Sequence, residues 1–220
     1  MRDDTPLSVV NGDASRTHGE RLPEEIERAL ALARVGVREL DLLVVASGPG
    51  AFTGLRIGLA AMQGLAMVLQ KPVVGVSALD VLAQLAARDR PPSTCGIVTW
   101  MDAQRGEVFG AAYTPLGDDG VDLARGPSVG APAVLLAEVP FAVDEEVVFA
   151  GDGAVRYADA IRDLRGSRAR ILEQTVPLAP TLARRGRAMA AAGAAGPPHA
   201  LKPLYVRRPD AERDRDLACS

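Results

Sequence analysis

The chain has 220 residues, of which 48% are hydrophobic and 24% charged, the composition of an ordinary globular protein that buries a core. Its formal net charge is −3, so it lacks the excess of positive charge by which a protein holds RNA unaided. Its two cysteines suit a reducing compartment, and no run reaches about 18 apolar residues because Arg56 and Gln63 interrupt the longest candidate, 55–69, so we expect a cytoplasmic protein without membrane contact.

Helices and apolar strands alternate in the first part of the chain. A helix is predicted from about Leu22 to Val35, where apolar side chains recur at spacings of four, four and three. Residues 40–46 (LDLLVVA) are apolar on both faces, as in a central parallel strand. A helix at 55–69, a strand at 72–76 and a helix at 78–88 follow, and this order predicts a right-handed parallel arrangement. The apolar face of the first helix carries Leu22, Ile26, Leu30 and Ala33.

A proline pair breaks this alternation, and we place the boundary between an N-terminal lobe, 1–92, and a C-terminal lobe, 93–220, at that point. Apolar runs at 96–101 and 107–113 flank a polar turn and predict a β-hairpin. The segment from about residue 200 could return to the N-terminal lobe. The other predicted elements are a strand at 147–150, helices at 157–164 and 181–192, a small-residue linker at 190–198 and a charged tail at 210–220.

A glycine-rich turn at 47–54 (SGPGAFTG) joins the first strand to the helix after it. Glycines allow positive φ and close backbone approach, Thr53 could cap the helix, and the free N–H groups of a helix N-terminus hold anions. The turn lacks the Gly-Lys-Ser/Thr ending of a Walker loop. Two interpretations stay open: a structural turn, which the local chemistry favours, and a phosphate site.

The helix after this turn carries small residues at helical spacing. Gly54 and Gly58 are four residues apart, as are Ala60 and Gly64, and such pairs let a second helix pack closely. The opposite face carries Leu55, Leu59, Met62 and Leu65. The helix could therefore lie between a sheet and another helix of the same chain, which periodicity alone favours, or form part of a subunit interface.

No catalytic arrangement is evident in the sequence. The two histidines, His18 and His199, show no metal-ligand spacing. Asp102 and Glu107 flank the hairpin turn and could form an acid/base pair, although a charged hairpin tip is the commoner explanation. The run RRGR at 184–187 could touch RNA phosphates, but on a helix its side chains spread in several directions, so a solvated face is the default interpretation.

Residues 43–83 resemble the signature of the TsaB (YeaZ) family, in which an apolar strand, a glycine turn, a small-residue helix and a second strand follow one another. The stretch GPGAFTGLRIG at 48–58 departs from the family pattern only at Ala51, where the family has serine. The turn residues of this signature are Gly48, Pro49, Gly50, Phe52, Thr53, Gly54 and Arg56. Further similar stretches stand at 18–22, 101–109, 151–154 and 203–207.

The resemblance implies a two-lobed actin-like fold of the Hsp70/actin (ASKHA) type, an α/β protein with mixed sheets flanked by helices. It implies a non-catalytic scaffold subunit that pairs with the catalytic paralogue TsaD and works with the ATPase TsaE. That complex transfers a threonylcarbamoyl group from its adenylate to the adenosine 3′ of the anticodon in tRNAs that read ANN codons. The scaffold would meet tRNA only through the complex, would need no cofactor of its own because ATP and metal belong to its partners, and could form a homodimer when alone.

The resemblance also implies that the partner interface lies on the first two helices, 22–35 and 55–69. It thereby favours the subunit-interface interpretation of the small-residue helix. The candidate interface residues are Leu22, Ile26, Leu30, Ala33, Leu55, Gly58, Met62 and Leu65.

The opening of the chain departs from the family pattern, which has an apolar strand leading into an Asp-Thr-Ser-Thr-like turn. Asp4-Thr5 could be the remnant of that turn, in which case the N-terminal sheet lacks its first strand, or the start of the chain was assigned too late. The metal-binding His-x-x-x-His pair of the catalytic paralogue is also missing, which favours a scaffold. The alternatives on the same fold are a metallopeptidase of the glycoprotease type and a small-molecule kinase or ATPase.

Overall fold

Two sheets, one in each half of the chain, organise the fold. The computed structural model describes residues 1–12, 18–118, 120–173 and 176–207, and for residues 18–20 it describes the backbone alone. The first sheet pairs two parallel strands, and the second has five strands of mixed orientation. With helices between and around them, this is the predicted α/β class. The predicted charged tail at 210–220 lies outside the described residues.

The first sheet is short and is built around one connecting helix. Its elements are α1 (His18–Ala33), β1 (Leu43–Gly48), α2 (Phe52–Leu69) and β2 (Val73–Ser77). α2 packs on β1, and α1 packs on α2. Residues 1–12 contribute an isolated bridge between Arg2 and Thr5 and no strand, as expected if the opening strand of the family pattern is missing.

The start of α1 differs from the prediction. The helix begins at His18 and not near Leu22, so Pro23 lies inside it and not in its first turn. Proline there leaves one carbonyl of the preceding turn without its helical N–H partner. The N-terminal segment is tied to this helix by Ser8, whose Oγ donates to the carbonyl of Ala29 at 2.8 Å.

The second sheet has the strand order β5-β4-β3-β6-β7. Its strands are β3 (Gly96–Asp102), β4 (Val108–Leu116), β5 (Gly120–Gly130), β6 (Val147–Ala150) and β7 (Ala169–Leu172). The predicted hairpin is confirmed as β3 and β4, which pair antiparallel from Ile97 opposite Tyr113 to Asp102 opposite Val108. β5 and β7 were not predicted. β5 contains Gly126 and Pro127 and has no fully buried residue, so only its pairing with β4 defines it as a strand.

Helix α3 (Ala78–Arg88) joins the two sheets. Ser77 caps it by accepting a hydrogen bond from the N–H of Asp80. Its Leu79 and Ala83 pack into the core of the second sheet, while Val81 packs with the side chains of β2. Because both faces are buried, the helix is apolar on nearly every side. The remaining helices are α4 (Pro132–Ala137), α5 (Asp152–Arg156), α6 (Ala158–Arg165) and α7 (Ala179–Ala191), with single 3-10 turns at Val37–Glu39, Gly166–Arg168 and Pro198–Ala200.

The chain returns to the first sheet after β7. α7 packs on β1 and β2, and the segment 196–207, which we call the C-terminal strap, runs on from there. Gly196, in the predicted linker, exchanges two hydrogen bonds with Val73 at the start of β2. Leu201 is buried between the first sheet and α2. The first lobe therefore contains chain from both ends of the described sequence.

α2 departs from the expectation that no segment is long and apolar enough to cross a membrane. Its 18 residues have a mean hydropathy of 1.4, and by length and composition alone they would suffice. The helix nevertheless packs on β1 within a layered α/β domain. Gln63, one of its polar residues, donates through Nε2 to the strap carbonyls of Pro198 and Leu201, both at 3.1 Å.

Candidate functional site

Three segments that lie far apart in the sequence meet at one cleft between the lobes. They are the glycine turn before α2, the tip of the β3–β4 hairpin and the end of the strap. Together they enclose a cavity of about 510 Å³. Each segment belongs to a stretch that carries the family resemblance. The lining residues are Pro49, Gly50, Ala51, Phe52, Leu55, Asp102, Ala103, Gln104, Arg105, Phe109, Leu204, Tyr205, Val206 and Arg207.

The glycine turn is shaped to accept the strap. The N–H of Leu204 donates to the carbonyl of Ser47 at 2.7 Å. Gly48 has φ of +124°, and a Cβ on it would lie 2.8 Å from the carbonyl oxygen of Leu204. Only glycine fits both the backbone angle and this approach. The peptide bond from Gly48 to Pro49 is cis. These contacts give the turn a structural role.

Thr53 does not cap α2, contrary to the prediction. The helix begins at Phe52, and its N-cap is Ala51, which makes no side-chain capping hydrogen bond. Thr53 instead points outward from the first turn as an exposed residue. The sequence signal for a cap was therefore misplaced by two positions, within the usual uncertainty of a helix boundary.

Both carboxylates at the hairpin tip are engaged in holding the hairpin. Asp102 Oδ2 accepts from Arg156 Nη1 at 2.8 Å, and Glu107 is paired with Arg207 of the strap. Arg207 Nη1 also donates to the carbonyl of Ala103 at 2.9 Å. From below, Asp152 Oδ1 accepts from the N–H of Asp102 at 3.0 Å. The arrangement favours the charged-tip interpretation over an acid/base pair.

An exposed stack of three side chains forms the rim of the cleft. The rings of Phe52 and Tyr205 stack with centroids 5.4 Å apart. The guanidinium carbon of Arg56 lies 3.8 Å above the centroid of Phe52, and its Nε donates to the hydroxyl of Tyr205 at 2.9 Å. Phe52 and Tyr205 are 40% and 44% exposed. The stack joins α2 to the strap and is open to solvent.

The candidate interface residues on α1 and α2 are all half-buried. Leu22, Ile26, Leu30 and Ala33 form one line along α1, as their spacing predicts. On α2, Leu55 and Leu65 pack against the core of the first lobe, so the chain itself uses part of their surface. Added Cβ atoms on Gly58 and Gly64 would meet nothing within 4 Å, so none of the described helices packs against these two glycines.

The most exposed line on α2 was not identified from the sequence. It consists of Thr53, Arg56, Ala60, Gly64 and Met67, spaced three or four residues apart, and we call it the exposed stripe. Val68 beside it is 81% exposed, Met67 is 68% exposed, and Leu32 on α1 is 59% exposed. Periodicity could not reveal this line because α2 is apolar or small on nearly every side.

The run RRGR on α7 is not the solvated face that the sequence suggested. Arg185 Nη2 lies 3.3 Å from Asp80 Oδ2, whose other oxygen accepts from the hydroxyl of Tyr113 at 2.9 Å. Gly186 is buried against Val44 of β1. Burial, and then the neighbouring Asp80 carboxylate, raise the pKa of Tyr113 above its ordinary value of 10.0. This network connects α3, β4 and α7, and so links the lobes.

The histidines are placed without an evident metal site. His199 lies in the 3-10 turn of the strap, and the His18 side chain is outside the described part of the structure. Among the described residues, no group of three or more His, Cys, Asp or Glu side chains could hold a metal ion.

Two sheets joined by the buried helix α3, with a cleft between them, define a two-lobed mixed α/β protein, and its family match and solved structural neighbours are consistent with the predicted actin-like fold. Comparison with known proteins gives the family. The family model of the tRNA N6-adenosine threonylcarbamoyltransferase TsaD matches residues 8–195. The chain belongs to the TsaB (YeaZ) family within this group.

Relatives and solved structures can be aligned with this chain over most of its length. An uncharacterized protein of Mycobacterium tuberculosis (strain H37Rv) is 35% identical over 90% of this chain and 79% of its own length. The tRNA threonylcarbamoyladenosine biosynthesis protein TsaB of Bacillus subtilis is 28% identical over 96% of this chain and 89% of its own. The solved structure of YeaZ from Pseudomonas aeruginosa has a TM-score of 0.69 at 30% identity, covering 86% of this chain and 84% of that one.

Proposed function

We propose that the protein is the scaffold subunit of the complex that makes threonylcarbamoyladenosine in tRNA. Membership of the TsaB family carries the role in this biosynthesis: the Bacillus subtilis relative at 28% identity bears that function in its name, as does an Escherichia coli relative that is 35% identical over 44% of this chain. Within the complex, this chain supports the catalytic paralogue TsaD, works with the ATPase TsaE, and contacts tRNA only through the assembled complex. ATP and metal belong to the partners, and the complex is cytoplasmic.

The observation that carries the scaffold role is the uncovered surface of α2. Only Leu59 and Ala66 of its 18 residues are buried, although α2 is the most apolar of the described helices of eight or more residues. A helix of this composition is normally covered on most sides in a soluble protein. The open space at Gly58 and Gly64 fits the close approach of a helix from another subunit. The helices α1 and α2 are therefore the proposed TsaD-binding surface, which could also support a homodimer when the partner is absent.

The state of the hairpin carboxylates supports a non-catalytic role. Asp102 and Glu107 are each paired with an arginine of a neighbouring element and hold the hairpin tip against α5 and the strap. A general acid or base must be within reach of a substrate proton. In this chain the carboxylate oxygens are used by Arg156 and Arg207 instead.

Reconstitution tests this proposal. The purified chain is combined with the TsaD and TsaE homologues of its genome, the threonylcarbamoyl adenylate and a tRNA transcript, and the modified adenosine is measured by mass spectrometry. We expect modification to require this chain, and the chain with TsaE but without TsaD to yield none. Modification at the same rate when the chain is omitted, or catalysed by the chain without TsaD, would contradict the proposal.

A single variant distinguishes a scaffold role from a catalytic role of this chain in the same assay. Glu107→Gln should keep the modification rate within about twofold, because an amide can still accept from Arg207, whereas loss of a general acid or base costs on the order of 100-fold or more. Asp159→Asn on α6 serves as the control, since Asp159 is an exposed carboxylate that does not line the cleft.

A further inference from the structure

Arg56 is an arginine whose position is fixed but whose charge is not neutralised. It lies on the exposed stripe of α2, with its guanidinium over the ring of Phe52 and its Nε bonded to Tyr205. Among the described residues it makes no ion pair with a carboxylate, in contrast to Arg207 in the cleft lining and to Arg156, which pairs with Asp102 of that lining. The Nη groups of Arg56 therefore keep N–H donors available for a ligand, while the side chain has already lost much of its rotamer freedom.

The surroundings of Arg56 define the kind of group that would bind there. A planar guanidinium offers two parallel N–H donors, which match a carboxylate or a phosphate. Along the stripe the next positions are Ala60 and Gly64 and then Met67, which are small or apolar and suit a protein helix better than a polynucleotide. The formal net charge of −3 also disfavours a polyanion as the direct partner. The carboxylate of a protein side chain is the better match.

We propose that Arg56, held by Phe52 and Tyr205, is the carboxylate-binding anchor of the partner interface, and that the catalytic paralogue places an Asp or Glu of an otherwise apolar or small-residue helix on it. This rests on the proposed function, because it assumes that the α2 surface binds that paralogue. It adds the strap to the interface: Tyr205 comes from the far end of the chain and orients the arginine. Arginine and aromatic side chains that are rigid before binding are the usual dominant contacts of an interface.

The affinity of purified variants for the TsaD homologue, measured by calorimetry, tests this. Arg56→Ala should raise Kd about thirtyfold. Arg56→Lys keeps the charge and the stem over Phe52 but loses the planar fork, so it should bind at least about fivefold more weakly than wild type. Tyr205→Phe retains the ring stack and loses the hydroxyl, and should cost about threefold. Arg162→Ala on α6, an exposed helical arginine of the other lobe, is the matched control and should change nothing.

The lysine variant also identifies the partner residue. The chain has only two lysines of its own, Lys71 and Lys202, so the amine introduced by Arg56→Lys is easily distinguished. A zero-length carbodiimide cross-link at high protein concentration should join that amine to an Asp or Glu of the partner, located by mass spectrometry. The wild-type chain cannot form this link at position 56.

Each outcome decides between the two proposals. If the wild-type chain binds the TsaD homologue and Arg56→Ala binds equally well, the anchor is wrong and the scaffold role stands. If wild-type affinity for TsaD is absent, both proposals fail. If Arg56→Lys binds like wild type, the partner does not recognise the planar guanidinium fork and the proposed anchor is wrong. If Arg56→Ala leaves subunit affinity unchanged but weakens tRNA binding by the assembled complex, the arginine contacts RNA phosphate and the proposal is overturned.

Discussion

Replacing Gly64 by leucine should stabilise the isolated protein and disrupt its complex. Gly64 is exposed in the middle of α2, and a Cβ at this position would meet nothing within 4 Å. Glycine in a helix interior costs about 1 kcal/mol relative to alanine, and leucine is nearly as good a helix former as alanine. Since a Cβ at this position meets no described atom, Gly64→Leu should gain about 0.5 to 1 kcal/mol and raise Tm by about 1 to 4 °C.

The effect on the complex should have the opposite sign. If a partner helix crosses α2 at Gly64, the added side chain prevents close approach, and overpacking of this kind costs about 1 to 3 kcal/mol. That corresponds to a Kd raised about fivefold to 150-fold. Far-UV circular dichroism measures the first effect, and calorimetry with the TsaD homologue measures the second.

Gly186→Ala is the matched control, because it also replaces a helical glycine by a larger residue, but in α7. Gly186 is buried against Val44, so even one methyl group should lower Tm, with a cost of about 1 to 3 kcal/mol. A lower Tm for Gly64→Leu would show that Gly64 is packed inside the molecule. A higher Tm with unchanged affinity would show that the partner binds elsewhere.

The other predictions concern the links between the lobes. Gly48→Ala should destabilise the chain by about 3 kcal/mol in urea unfolding, because φ of +124° and the nearby Leu204 carbonyl both exclude a side chain; a cost under about 1 kcal/mol would mean that the strap is not seated on the turn. Tyr113 should stay neutral in an ultraviolet titration to well above pH 10, because burial raises its pKa. Its contribution to stability should be complete below pH 10 and decline above it, and normal ionisation near pH 10 in the folded protein would contradict the buried network.

The elements that the sequence predicted well are those defined by local patterns. β1 and β2 are continuous apolar runs, and the β3–β4 hairpin has a polar turn between two apolar runs. β5 was missed because its stability comes from pairing with β4, and that pairing is invisible in its own polar composition. The packing of α7 on the first sheet was missed for a similar reason, since it depends on contacts far away in the sequence.

The candidate site was only partly predictable. Family resemblance marked the turn, the hairpin and the strap separately, but their meeting at one cleft is a property of the tertiary structure. Helical periodicity gave the apolar line on α1 correctly. On α2, periodicity could not distinguish the buried side of the helix from the exposed side. Small residues such as Ala60 and Gly64 carry almost no hydrophobic signal, although they belong to the exposed stripe.

The central claim is that the uncovered face of α1 and α2 binds a partner subunit. Hydrogen exchange followed by mass spectrometry, with and without the TsaD homologue, tests it most directly. We predict slower exchange on binding in residues 22–33 and 52–69, with little change in α6 and β7 at the far side of the second sheet. Slowing confined to the second lobe, with unchanged exchange in α2, would contradict the account.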